Sequence, residues 1–241
     1  NASGWYLSPE QHAWDTFTFF VPALLLALLT GLCFRHPRDA GWLPCRKPVL
    51  ASAPMQVVDR AIGLIAAGSY ALLVTGKALT GRTVYLLAPC NLCSALLVYF
   101  ALDATSPLAE AAFNYYLVTA WGVLVALATP DTRDQLLVPL YYLARRRYAV
   151  HTSLTSTLFY FACFILLHFG VYEVVSIASE QNLNYIMMPP RPLHKFGKSF
   201  RYIAVAAGAA TTLLFRHIVV TGVLACIKAL APSPSPKAKT A

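Results

Sequence analysis

The chain has 241 residues, of which 58% are hydrophobic and only 12% charged, and its formal net charge is +9. A soluble domain of this size carries about 25% charged residues, so water is excluded as the solvent along most of the length. Nucleic acid is excluded as the reason for the charge. The Lys and Arg residues sit in connections between apolar runs, where they face anionic headgroups and set topology.

A membrane-crossing helix needs about 20 mainly apolar residues. Residues 1–15 form an N-terminal segment ahead of the first such run. Thr16 to Phe34 is free of charge. Ala61 to Leu79 carries Lys77 close enough to its end to snorkel. Val84 to Leu102 contains Pro89, Cys90 and Cys93. Ala111 to Thr129, the long stretch Thr152 to Ser179, and Tyr202 to Ile227 complete six predicted spans. Gln135 to Ala144 is apolar but short, contains Pro139, and lies between Asp131, Arg133, Asp134 and the cluster Arg145, Arg146, Arg147. It is predicted to be a shortened seventh crossing, with an interfacial or re-entrant helix as the alternative. With seven crossings, the first internal loop, the arginine cluster and the C-terminus share the more basic side.

The fold class is therefore all-α: a polytopic transmembrane helix bundle of six spans plus one short span. It forms a single domain over residues 16–230. The tail, residues 231–241, is rich in Pro, Ser and Lys, a composition that does not fold alone. It is expected to be held by other membrane-protein subunits.

Ionisable groups inside a bilayer cost at least about 2.5–3.5 kcal/mol at a helix centre, so each is a functional candidate. His168 and Glu173 lie on the sixth segment, and Arg216 lies near the middle of the last. Glu173, Ser176 and Glu180 share a helical face. A buried Arg216 needs a partner, and Glu173 is nearest by depth. The stretch around Glu180, Asn182 and Asn184 is dense in polar groups at a membrane boundary. It reads either as a helix C-terminal cap or as a hydrogen-bonding wall for a lipid headgroup. Glu173, Glu180, Asn182, Asn184, Arg201 and Arg216 are the candidate lipid-binding residues.

Six cysteines are present, Cys33, Cys45, Cys90, Cys93, Cys163 and Cys226. Residues 88–93 read Ala-Pro-Cys-Asn-Leu-Cys. Pro89 frees a backbone carbonyl one turn earlier, which can open a polar pocket beside Cys90. A thiol there is a nucleophile only if a base activates it. Cys90 and Cys93 also form a C-x-x-C, which on a helix puts both sulfurs on one face, as in thiol oxidoreductases that reduce quinone. Cys33 and Cys45 are the shuttle candidates in that reading. No His/Cys cluster has metal-ligand spacing, so no metal is expected, and no cofactor beyond a bound phospholipid.

At two blocks the sequence resembles the transmembrane protein 164 family. One is Val84-Tyr85-Leu86-Leu87-Ala88-Pro89-Cys90. The other runs from His168-Phe169 through Glu180, Asn182, Leu183, Asn184 and Pro189 to Gly197, Phe200 and Arg201. The resemblance covers about residues 60 to 225. It implies a seven-helix membrane acyltransferase acting on ether phospholipids, with Cys90 as nucleophile and an assisting histidine before the fifth helix. Here the sequence departs from the family. Asn91 stands where the family has histidine after the cysteine, and the stretch between Pro130 and Pro139 is shortened and lacks His. His151 follows the arginine cluster and fits the pattern poorly. His168 remains as a substitute base.

Three functions follow in order of preference. The first is a catalytically degenerate, lipid-contacting structural subunit of a larger membrane complex. The second is an active Cys90-dependent phospholipid acyltransferase, and the third a quinone-linked thiol oxidoreductase through Cys90 and Cys93. Membrane lipids and other membrane subunits are the expected partners, and nucleic acid is not. A basic, acid-poor chain that begins at Asn1 without a secretory signal pattern suits the mitochondrial inner membrane after presequence cleavage.

Overall fold

The computed structural model describes residues 6–33, 53–103, 106–120, 138–143, 150, 153–183, 188–189 and 191–230. The tail at 231–241, Cys45, the side chain of Cys33, Asn184, His151 and the arginine cluster at 145–147 lie outside the described residues.

Helix α1 spans Pro9–Cys33 and α2 spans Ala53–Leu79. A short 3-10 turn, Thr83–Leu87, precedes α3 at Pro89–Leu102, and α4 spans Pro107–Thr119. Helix α5 (Leu154–Leu166) continues through a π-helical segment, Leu167–Tyr172, into α6 (Glu173–Ser179). Helix α7 (Phe200–Leu214) continues in the same way through Phe215–Val220 into α8 (Thr221–Leu230). Among the described residues no strand is present. The all-helical membrane bundle read from the sequence is borne out.

Among the described residues, four helices are long and apolar enough to cross a bilayer: Pro9–Leu32, Val57–Leu79, Leu154–Ser179 and Leu193–Cys226. The first begins seven residues before the predicted Thr16. Pro9 suits the first helical turn, where its missing N–H costs nothing, and the polar residues that follow extend the helix beyond the apolar run. The expected span Val84 to Leu102 is not one helix. Ala88 is extended (φ −56°, ψ 143°), as the residue before a proline prefers, and Pro89 restarts the helix. The 14-residue α3 rises only about 21 Å, short of the roughly 30 Å hydrocarbon core.

The bundle is apolar outside, and its interior mixes aliphatic, aromatic and polar side chains. Leu25, Leu28, Leu29 and Leu32 on α1 are each more than half exposed, and Leu72 on α2 is 77% exposed, as a lipid-facing surface requires. Inside, Phe100 packs edge-on against Phe113, Tyr116 and Tyr142 with ring centroids 5.4, 5.6 and 6.0 Å away. Close helix contact uses glycine. A Cβ on Gly170 would come within 2.8 Å of the Phe20 ring, and one on Gly63 within 3.3 Å of the Ala101 backbone.

The helix directions follow from these contacts. His12 near the start of α1 meets Glu173 near the end of the α5–α6 helix, and Gly31 near the end of α1 lies beside Phe159, so the two run antiparallel. Cys93 in the first turns of α3 meets Thr119 at the end of α4. Thr119 therefore lies at the end of the bundle that holds Pro9, Pro89 and Ser179, whereas Leu154 lies at the other. The chain changes ends between them. Residues 138–143 are helical, and Tyr142 packs beside Phe100 in the last turn of α3. Leu230 ends up on the side of Cys33 and Ala53, opposite Pro9.

Candidate functional site

The most elaborate polar site is a cluster that joins α1, α6 and α7. Gln11, His12, Asp15 and Thr16 occupy adjacent turns of α1 at i, i+3 and i+4 spacing, which puts them on one side of the helix. His12, Asp15, Glu173 and Arg201 are 2%, 0%, 3% and 3% exposed. Arg201 donates from Nη1 and Nη2 to Glu173 Oε1 at 3.1 and 3.2 Å. His12 Nδ1 lies 3.0 Å from the same oxygen and also contacts Arg201 Nη2. A single ring nitrogen cannot donate to a carboxylate and accept from a guanidinium at once, so one tautomer makes only one of these two hydrogen bonds. Thr16 donates to Glu173 Oε2 at 2.5 Å. Asp15 Oδ2 is 3.9 Å from Arg201 Nη1, and Asp15 Oδ1 accepts from Gln11 at 2.7 Å and Tyr202 at 3.1 Å. Both oxygens of Glu173 are thus engaged in holding helices together, the arrangement a buried charge requires.

This cluster borders a groove of about 520 Å³ between α1 and the α5–α6 helix. Its walls include Phe17, Phe20, Phe169, Val174 and Ile177, and His12, Thr16 and Glu173 line it part-way along its length. A groove with such apolar walls on the outside of a membrane bundle suits an acyl chain.

The pairing of Arg216 with Glu173 expected from depth is corrected. Arg216, 1% exposed, donates from Nη2 to Asn114 Oδ1 on α4 at 2.9 Å, and Glu173 is taken by Arg201. The two arginines are 15 positions apart along one helix, about 22 Å in rise, so they serve different depths. The shared face of Glu173, Ser176 and Glu180 is also corrected. Glu173 and Ser176 are buried, but the helix ends at Ser179 and Glu180 takes a left-handed conformation (φ 56°) as its exposed C-terminal cap. Ser176 Oγ accepts from Leu183 N at 3.2 Å. Asn182 donates to Met188 O at 3.0 Å and accepts from Met188 N at 3.2 Å, so its amide closes the loop.

Cys90 lies in the first turn of α3 and is exposed, whereas Cys93 is buried, its sulfur 3.8 Å from Thr119 Oγ1. Neither is in a disulfide. The two sulfurs that share a face by spacing therefore have different surroundings, because that face rolls from the rim into the core over one turn. Asn91 is buried and donates to Tyr85 O at 2.5 Å, tying the start of α3 to the turn before it. His168 lies in the π segment with its ring against Phe164, Phe169 and Tyr172, at centroid distances of 6.2, 4.8 and 6.2 Å. The second π segment holds Arg216. Such wide turns are common at functional positions, and here each carries an intramembrane polar residue.

His12, Asp15 and Thr16 were not among the residues singled out from the sequence. The signal was present in their spacing with Gln11, but it lies before and at the first residue of the first uniformly apolar run. Arg201 and Glu173 were named, and the structure brings them together.

No family model matches the chain, and no solved structure matches it. Among curated proteins it is similar to the transmembrane protein 164 homolog of Dictyostelium discoideum, with 26% identity over 209 residues, covering 80% of this chain and 75% of that protein. The resemblance drawn from the two sequence blocks is borne out, as that of a divergent relative.

Proposed function

We propose that this divergent relative of the transmembrane protein 164 family is a catalytically degenerate, lipid-contacting structural subunit of a larger membrane complex. The observation that carries the reading is the cluster of His12, Asp15, Glu173 and Arg201. The buried charges that make this region a functional candidate are spent on joining three helices. The groove beside it offers apolar walls to a lipid. Asn91 supports the same reading, because the residue after Cys90 is a buried backbone tie and an amide cannot take a proton from a thiol as an imidazole can. The formal charge of +9 suits a membrane rich in anionic lipid, such as the mitochondrial inner membrane.

The exposure of Cys90 favours a second reading, an acyltransferase in which this thiol carries the acyl group. One experiment separates the two. The tagged chain is extracted in mild detergent, run on a native gel, and exposed to an acyl-thioester probe, with Cys90→Ala in parallel. A structural subunit migrates in an assembly far above its own 26.3 kDa, with migration unchanged in Cys90→Ala and no thioester on the parent chain. A lone monomer that forms a Cys90-dependent thioester and transfers the acyl group refutes the structural reading.

A further inference from the structure

A second cavity, of about 590 Å³, lies at the same end of the bundle but away from the arginine clamp. It is built where two helices stop. Helix α2 ends at Leu79, and Gly81 takes a left-handed conformation (φ 68°), which glycine adopts at little steric cost. Arg82 N then donates back to Lys77 O at 2.8 Å, so the chain folds over and Arg82 and Lys77 line one wall. The opposite wall is the exit of α6, with Ser179 and Gln181 on either side of the left-handed Glu180. Tyr85 joins the walls. Its hydroxyl donates to Gln181 Oε1 at 2.6 Å, and the Lys77 ammonium stands 5.7 Å from its ring centroid.

The chemistry of this cavity is that of an anion site. Among the described residues, neither Lys77 nor Arg82 has a carboxylate within ion-pair distance. Gln181 has its oxygen occupied by Tyr85, which leaves its amide N–H groups as donors. Ser179 donates its own hydroxyl to Val175 O at 2.6 Å and is not part of the donor set. A compact ammonium, a planar guanidinium and an amide converge on one space, the pattern that suits the several oxygens of a phosphate. The depth agrees: Lys77 sits in the last turn of a bilayer-long helix, where lipid phosphates lie.

We propose that Lys77, Arg82 and Gln181 bind a phosphate group, either of a phospholipid headgroup or of a soluble phosphate. The site rests on the lipid-contacting reading above but uses other residues. The test uses the full chain purified in detergent. Its probes are dioctanoyl phosphatidic acid, dioctanoylglycerol as the same lipid without phosphate, and inorganic phosphate. The parent chain is expected to bind phosphatidic acid about thirtyfold more tightly than dioctanoylglycerol, from about one headgroup-level contact energy per cation. In K77Q/R82Q that preference disappears, and in K77R it is retained. Should the double variant fail to fold, R82Q alone, at an exposed position, loses about fivefold on the same arithmetic. Competition by inorganic phosphate as effective as by the lipid assigns the site to soluble phosphate, and weak competition assigns it to a headgroup. A parent chain that binds both lipids equally, or folded variants that keep the full preference, overturns the phosphate site alone. Binding of neither lipid overturns the lipid-contacting reading with it.

Discussion

Glu173→Ala tests whether the cluster at the head of α1 clamps the bundle. The substitution removes the acceptor of both Arg201 Nη groups, of Thr16 and of His12. It leaves Arg201, 3% exposed, with Asp15 as its remaining carboxylate contact in the cluster, at 3.9 Å. Breaking a buried pair from one side costs about 3–5 kcal/mol, because an uncompensated charge stays behind. For a chain of this size each kcal/mol lowers the melting midpoint by about 2–4 °C. A drop of about 6–20 °C is therefore expected, read as the midpoint of the monodisperse peak in detergent after heating. The double variant Glu173→Ala/Arg201→Met removes both charges and is expected to lie clearly above the sum of the two single losses. A midpoint within about 2 °C of the parent in Glu173→Ala would refute the clamp, as would strict additivity in the double-mutant cycle.

Three further outcomes follow from the same packing. Asn114→Leu removes the acceptor of Arg216 Nη2 in a fully buried position. It should cost about 1–3 kcal/mol by the thermal assay, and a neutral effect would show that the hydrogen bond contributes nothing. Gly170→Ala pushes a Cβ to within 2.8 Å of the Phe20 ring. A loss of about 1–3 kcal/mol, largely recovered by Phe20→Leu, is expected, and a Gly170→Ala chain as stable as the parent would contradict the contact. The last long helix starts with Arg201 beside Asp15 and His12 at the head of α1 and runs on to Leu230, which places Pro9 and Leu230 on opposite sides of the membrane. Tags on the two termini should be digested by protease from opposite faces of sealed vesicles, and digestion of both from one face would refute the assigned helix directions.

The membrane class and most helix positions were legible because lipid imposes a long, uniform apolar requirement that composition reveals directly. The break at Ala88–Pro89 was legible in principle, since proline lacks the donor a continuous helix needs. Reading the run as one span gave hydropathy priority over that local rule. The partner of Glu173 was not legible. Depth can be counted along a sequence, but the direction in which a helix turns a side chain toward its neighbours depends on packing, and the π segments at Leu167–Tyr172 and Phe215–Val220 shift that direction without a clear sequence mark. His12 and Asp15 escaped notice for a different reason. They belong to helical turns that precede the uniformly apolar part of α1, so a window tuned to lipid ends before them.

The two arginines of the last long helix allow one more deduction. Arg201 ties the start of α7 to α1 and α6, and Arg216 ties the π segment that follows α7 to α4. The lipid side of that helix is apolar, with Leu214, Ile218 and Val219 exposed. Its seat in the bundle therefore includes two polar fastenings about 22 Å apart along its axis. Sites at that separation without shared partners add to within about 0.5 kcal/mol. Glu173→Ala and Asn114→Leu combined should thus lower the midpoint by the sum of their separate shifts. Extra destabilisation well beyond that sum, measured in the same detergent assay, would mean that the helix responds as one rigid lever, so that loosening either fastening strains the other.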